Sequence, residues 1–168
     1  LLFIFHLFAN FFINNNNVAL ILGDNFFYGQ NLTSKLIKCT KLKKGAKVIL
    51  HKVLKPELYG VAKTNPSGKI NFIKEKPKKF ISDQAITGLY FFDKNVVNYS
   101  KKLKPSKRKE LENTDLLNVY RKKNQLSSDL LGRGGAWLDT GSIDDFYKTS
   151  AFVSAIENRQ GFKIACLE

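Results

Sequence analysis

Two carboxylates in this chain stand where a divalent cation would be held. Segment 18–22 (VALIL) is apolar without a polar break and runs straight into Gly23, Asp24 and Asn25, and segment 136–138 (AWL) runs into Asp139, Thr140 and Gly141. In open α/β sheets, ligands gather beyond the carboxyl ends of strands. Two acids at such ends can share one Mg2+, which takes a couple of carboxylates and fills its other positions with phosphate oxygens and water. Asp24 read alone serves equally well as a helix cap or a turn residue. The second acid, trailed by a glycine that lets backbone approach a ligand, favours the metal reading. Between them lies Glu75-Lys76-Pro77. There a carboxylate can accept hydrogen bonds from sugar hydroxyls while the neighbouring ammonium meets a phosphate. By itself that tripeptide is also an ordinary charged strand exit, and Tyr59-Gly60 and Thr87-Gly88 are ordinary strand-edge glycines unless a ligand lies beside them.

These residues need elements to hold them, and the pattern supplies an α/β succession. The polar run 14–17 (NNNN) precedes segment 18–22, whose lack of alternation fits a strand covered on both faces in a parallel sheet. Residues 30–44 place Leu32, Leu36, Ile37 and Cys39 at roughly helical spacing, with Thr33 or Ser34 near the start and Gly45 at the end, which predicts a crossover helix. Residues 46–53 (AKVILHKV) predict the next strand and close a βαβ unit with the first. A hairpin is predicted from 59 to 74 around Asn65-Pro66-Ser67-Gly68. Segment 85–92 (AITGLYFF) reads as an aromatic strand, and Asp93 is placed to cap a helix running through Leu103. Residues 110–123 predict an amphipathic helix with Leu116, Leu117, Val119 and Tyr120 inward, 126–131 a returning strand, and 142–161 a closing helix. Neither a repeat nor a linker interrupts the chain, so one domain over 1–168 is expected.

Composition narrows the partners. With 168 residues, 43% of them hydrophobic, one core is expected and two are not. Twenty-eight Lys plus Arg against 14 Asp plus Glu give +14, a balance that ordinarily points to a polyanion or an acidic membrane surface. The excess is almost entirely Lys, scattered along the chain and accompanied by much Asn, Ile, Phe and Leu. That mixture reads as the codon bias of an AT-rich genome rather than a selected basic face. The aromatic residues fall at strand positions rather than beside clustered Arg, so no nucleic-acid and no membrane partner is expected. Cys39 and Cys166 give no disulfide framework and fit a reducing compartment, the cytoplasm. Residues 1–13 (LLFIFHLFANFFI) lack the basic lead and cleavage site of a signal and are too short for a membrane span, so a buried element is expected. The sequence contains no Met, which makes a fragment the expectation.

Segments 22–29 (LGDNFFYG), 57–61 (ELYGV), 75–77 (EKP), 85–93 (AITGLYFFD), 103–105 (LKP), 110–112 (ELE) with Thr114-Asp115, Gly132-Arg133, 137–141 (WLDTG) and 157–161 (ENRQG) follow one another along the chain. In that order they resemble the glucose-1-phosphate thymidylyltransferases, a family of sugar nucleotidyltransferases, from about residue 14 onward. The resemblance implies an α/β, Rossmann-like nucleotidyltransferase fold, with a mixed, mostly parallel sheet flanked by helices and incomplete at the N-terminus. Residues 1–17 would be a poorly matched lead-in and 18–168 the matching part of a single partial domain. It implies a Mg2+-dependent attack by the phosphate oxygen of glucose 1-phosphate on the α-phosphate of dTTP, forming dTDP-glucose and pyrophosphate as the first step of dTDP-rhamnose synthesis. Such transfer needs charge stabilisation and in-line alignment more than covalent help. By position, the resemblance makes Asp24 and Asp139 the Mg2+ ligands and Lys76 and Arg108 the catalytic cations, both contacting phosphate. Glu75 would take sugar hydroxyls, and the backbone at Gly60 and Ile86 would line the glucose pocket with Tyr59 and Tyr90 beside it. The complete family is expected to be homo-oligomeric.

Departures from the family pattern carry expectations of their own. The glycine-rich, arginine-containing loop that cradles the triphosphate on backbone N–H groups, and the segment that reads the thymine base, have no counterpart in 1–13. The chain is therefore expected to carry the sugar-phosphate and metal half of a site without the nucleotide half. The alternative is a truncated, non-catalytic remnant that acts only as an interaction partner of a complete subunit. Asn113, where a β-branched apolar residue is usual, and Gly135, where a larger one is, each predict packing loosened by about 1 kcal/mol.

Overall fold

The computed structural model describes residues 13–106 and 111–164. In chain order the elements are β1 (Val18–Ile21), β2 (Asn25–Gly29), α1 (Leu32–Thr40), β3 (Ala46–Lys52), a 3-10 turn at Pro56–Leu58, β4 (Gly60–Thr64), β5 (Ile70–Glu75), β6 (Gln84–Phe92), α2 (Val96–Ser100), α3 (Asn113–Lys122), β7 (Leu126–Leu130), β8 (Gly135–Asp139) and α4 (Ile143–Gln160). No helix among the described residues is long and apolar enough to cross a membrane.

A six-stranded sheet runs β5-β4-β6-β3-β7, with β1 also paired to β6, and a separate two-stranded ribbon joins β2 to β8. The mixed α/β class is as expected, but the sheet is not mostly parallel. Among the described pairings only β3 with β7 is parallel, while β6 runs antiparallel to β1, β3 and β4. The first and third strands do not pair with each other, because β6 lies between them. The reason is physical: an unbroken apolar run reports burial on both faces and is silent about the direction of the neighbour. The strand β6, antiparallel and covered on both faces, reads just as apolar as a parallel one.

Side chains alternate across this sheet with the strand period of two. Val48, Leu50, Ile86, Tyr90 and Phe92 point to one face, where they meet Leu116, Leu117 and Tyr120 of α3 and Val96 of α2. Ile49, Ala85, Leu89 and Phe91 point to the other, where they meet Trp137 of β8, Phe27 of β2 and Leu32 and Leu36 of α1. Asp93 differs from its predicted role. Rather than capping a long helix, its buried carboxylate accepts the Gly45 N–H at 2.7 Å, the Asn95 N–H at 3.0 Å and the Tyr120 hydroxyl at 2.9 Å. It thereby ties the entry of β3, the end of β6 and α3 together in the core. The closing helix has the ends its sequence predicts: the Asp145 N–H donates to the Ser142 hydroxyl at 3.1 Å, and Gly161 takes the left-handed conformation just past the last turn.

Candidate functional site

The long strand β6 forks the sheet. On one edge it pairs with β3 over both halves; on the other, its C-terminal half pairs with β1 from Leu89 to Phe92 while its N-terminal half meets β4 at Ala85. Gly88 sits at the fork, with backbone groups that neither partner strand uses. Its carbonyl accepts the Leu22 N–H at 2.8 Å, and its N–H donates to the Asn25 side-chain oxygen at 3.0 Å. A side chain at Gly88 would start 2.6 Å from the Asn25 amide, so the close approach requires glycine. Thr87-Gly88 is therefore not an ordinary strand edge.

The β2–β8 ribbon brings the two acids together. Asn25 lies opposite Asp139, and the Thr140 N–H donates to the Asp24 carbonyl at 2.7 Å. Both carboxylates border Gly141: a Cβ placed there would meet Asp139 Oδ1 at 3.0 Å and Asp24 Oδ2 at 3.7 Å. Asn25 clamps this arrangement to the sheet. Its Nδ2 donates to Asp24 Oδ1 at 2.7 Å, and its Oδ1 also accepts the Trp137 indole N–H at 2.6 Å.

The opposite wall belongs to the six-stranded sheet. Gly60 pairs with Glu75 across β4 and β5, and a Cβ on Gly60 would meet the Glu75 carboxylate at 2.9 Å and the Thr114 methyl at 2.8 Å. Lys76 follows with φ +39, an unusual backbone for a residue with a side chain, held by its N–H donating to the Tyr59 carbonyl at 3.0 Å. The Tyr59 ring packs edge-on against Trp137 at 5.0 Å. Between the walls opens a cleft of about 210 Å³ whose lining includes Asp24, Tyr59, Gly60, Glu75, Lys76, Ile86, Tyr90 and Asp139. Eight of the nine residues singled out in the sequence thus share one cavity; the ninth, Arg108, lies outside the described residues.

The electrostatics of the cleft suit a cation. Burial holds the Asp139 carboxyl above its ordinary 3.8; the Gly141 N–H opposes the shift, the charges of Asp24 and Asp145 add to it, and Lys76 opposes it. A carboxylate whose ionisation is made costlier by burial and by neighbouring carboxylates gains from a positive charge beside it. Carboxylate oxygens are the hard donors that Mg2+ prefers, so the residues present fit that ion. No group of three or more His, Cys, Asp or Glu gathers for a metal among the described residues. Tyr90, in β6, has its hydroxyl pKa raised by burial, an effect the Asn113 side chain opposes and the charges of Glu75 and Asp24 reinforce.

Two residues take roles the sequence reading missed. Asn25 was read only as a neighbour of Asp24; no local pattern announces a side chain whose partners lie 63 and 112 residues away. Asn113, where loosened packing was expected, lines the cleft beside Tyr90. At Gly135 the Leu131 side chain fills the space, 2.6 Å from where a Cβ would stand, so a larger residue there would have to displace Leu131.

The nucleotidyl transferase family model matches residues 5–156. A glucose-1-phosphate thymidylyltransferase of Neisseria meningitidis serogroup A is 46% identical over 157 residues, 94% of this chain and 54% of its own length. One from Mycolicibacterium smegmatis is 42% identical over 93% of this chain and 54% of its own. A solved Bacillus anthracis structure assigned as a glucose-1-phosphate thymidylyltransferase, in complex with sucrose, aligns with a TM-score of 0.74 at 40% identity, over 84% of this chain and 56% of its own. A UDP-glucose pyrophosphorylase solved with UDP-glucose shares the fold, with a TM-score of 0.76 at 22% identity, over 90% of this chain and 60% of its own. The chain spans about half the length of the curated relatives it matches. Since the family model covers most of the chain, from residue 5 to 156, this protein belongs to the nucleotidyl transferase family.

Proposed function

We propose that the chain supplies the sugar-phosphate and metal half of a glucose-1-phosphate thymidylyltransferase site, which joins glucose 1-phosphate to the α-phosphate of dTTP and releases pyrophosphate, opening dTDP-rhamnose synthesis in the cytoplasm. The observation that carries this reading is the gathering of Asp24, Glu75, Lys76 and Asp139, up to 115 positions apart in sequence, on one cleft. The names of the relatives support the same substrates. Glu75 accepts hydrogen bonds from sugar hydroxyls, and Gly60 brings the β4 backbone close enough to press against the ring. Lys76 meets the sugar phosphate with Arg108, so that its attacking oxygen is aligned and its charge offset. Asp24 and Asp139 hold Mg2+, which when bound neutralises triphosphate charge and polarises the phosphoryl oxygens.

The test is calorimetric titration of the folded 168-residue chain with glucose 1-phosphate and Mg2+, followed by pyrophosphate release from dTTP once an N-terminal half from a complete relative is added. Saturable glucose 1-phosphate binding, weakened on the order of tenfold or more by Lys76→Ala, and turnover on complementation are expected. A folded chain that does not bind glucose 1-phosphate overturns the proposal. Binding without turnover on complementation leaves the non-catalytic remnant as the correct reading.

A further inference from the structure

We infer that Asn113, together with the Tyr90 hydroxyl it faces, reads one ring hydroxyl of the sugar, so that the cleft selects a hexose 1-phosphate over the analogue deoxygenated at that position. This rests on the sugar-phosphate reading above and names the group that sets selectivity within it.

Asn113 is the first residue of α3 and lines the cleft, yet it does none of the usual work of an asparagine at a helix start. The cap position is Glu112, and no side chain there bonds the helix N–H groups. The next residue, Thr114, is buried with its methyl toward Gly60 and Glu75, which fixes the first turn of α3 against the sugar-facing wall. Tyr90 has a ring that belongs to the core, stacked on Phe92 at 6.0 Å and 5% exposed, yet the residue lines the cleft, and its hydroxyl lies within the influence of Asn113, Glu75 and Asp24.

The hydrogen-bonding capacity of this pair exceeds what the two groups can give each other. A primary amide has two donor hydrogens and an oxygen with two lone pairs, and a phenol has one donor and an accepting oxygen. Even one mutual bond would leave further donors and acceptors on the pair for a ligand in the cleft. Asn25, the other asparagine of the cleft, is by contrast committed to Asp24, Gly88 and Trp137. A sugar that fills this part of the cleft must bring a hydroxyl to the pair, and a deoxy carbon there leaves buried polar atoms unpaired.

The experiment titrates the 168-residue chain with glucose 1-phosphate, its 2-, 3-, 4- and 6-deoxy analogues, and inorganic phosphate, for the unmodified chain, Asn113→Leu and Tyr90→Phe, with thermal melts to establish that each variant is folded. One deoxy analogue is expected to bind the unmodified chain about tenfold more weakly than glucose 1-phosphate. Asn113→Leu should bind glucose 1-phosphate and that same analogue equally, with the other analogues keeping their order; Tyr90→Phe should shrink the same difference. Uniform weakening of every sugar by Asn113→Leu, or no discrimination by the unmodified chain, overturns the inference while leaving the sugar-phosphate reading standing. Glucose 1-phosphate bound no better than inorganic phosphate overturns both.

Discussion

The two walls of the cleft are built on unequal foundations. The wall carrying Gly60, Glu75, Lys76 and Thr114 rises from the six-stranded sheet and from α3, whose Leu116, Leu117 and Tyr120 are buried in the core. The wall carrying Asp24 and Asp139 stands on a two-stranded ribbon and is followed by α4, an 18-residue helix with Thr149 as its one buried residue. A two-stranded ribbon is marginal without packing. What fixes the acids is a small set of tethers, with Trp137 in the second core and Asn25 bonded to Asp24, Gly88 and Trp137. The wall of Glu75 and Lys76 is therefore held by buried area, the wall of Asp24 and Asp139 by a few directed bonds. Stability and metal affinity should respond to different residues.

The largest expected effect is on the sheet side. Leu117→Ala should cost about 2–5 kcal/mol by denaturant unfolding, through lost transfer free energy and the cavity left behind, and should take both walls down together. Asn25→Leu should cost less, about 1–3 kcal/mol, by leaving the Trp137 and Gly88 N–H groups without their acceptor. It should nonetheless weaken Mn2+ binding about 10–100-fold, as loss of a group that orients a metal ligand does. Unchanged Mn2+ affinity in a folded Asn25→Leu chain would break the contrast between the walls. Ser142→Ala should cost about 1 kcal/mol through the lost helix cap and leave glucose 1-phosphate binding unchanged; a loss of that binding would mean α4 supports the wall of Glu75 and Lys76 as well.

The smallest effect is a pH dependence. Asp139 titrates above its ordinary 3.8 in the folded chain, chiefly through burial. Folding therefore favours its protonated form: this stabilising contribution is fully present below 3.8 and is lost as the pH rises through the raised folded value. The cation takes the ionised form, so lowering the pH through the same window should relieve Asp139's own penalty on the metal-free fold, against the opposite trend from Asp145 and Glu157, while weakening Mn2+ binding. Thermal melts and Mn2+ titrations at stepped pH, compared with Asp139→Asn, check both signs, and the difference between the two chains should show them.

Much of this was legible in the residues because it is local. The caps of α4, the inward Leu116, Leu117 and Tyr120, the hairpin at Asn65-Pro66-Ser67-Gly68 and the acids at the ends of apolar segments all follow from short-range pattern, and the structure contains each of them. The direction of the sheet was not legible, since burial on both faces produces the same apolar run in either orientation. Residues 25–29 did not read as a strand either, because a ribbon strand with partly buried positions throughout shows no alternation.

What the sequence determined by itself is the set of chemical groups and the elements that carry them, because propensity, capping and burial act over a few residues. Only the tertiary structure decided that β6 forks at Gly88, that Asn25 is the tether between the acids and the sheet, and that Asn113 faces the cleft beside Tyr90 instead of packing in the core. Those outcomes depend on contacts between residues tens of positions apart, whose free energies exist only once the chain has brought them together.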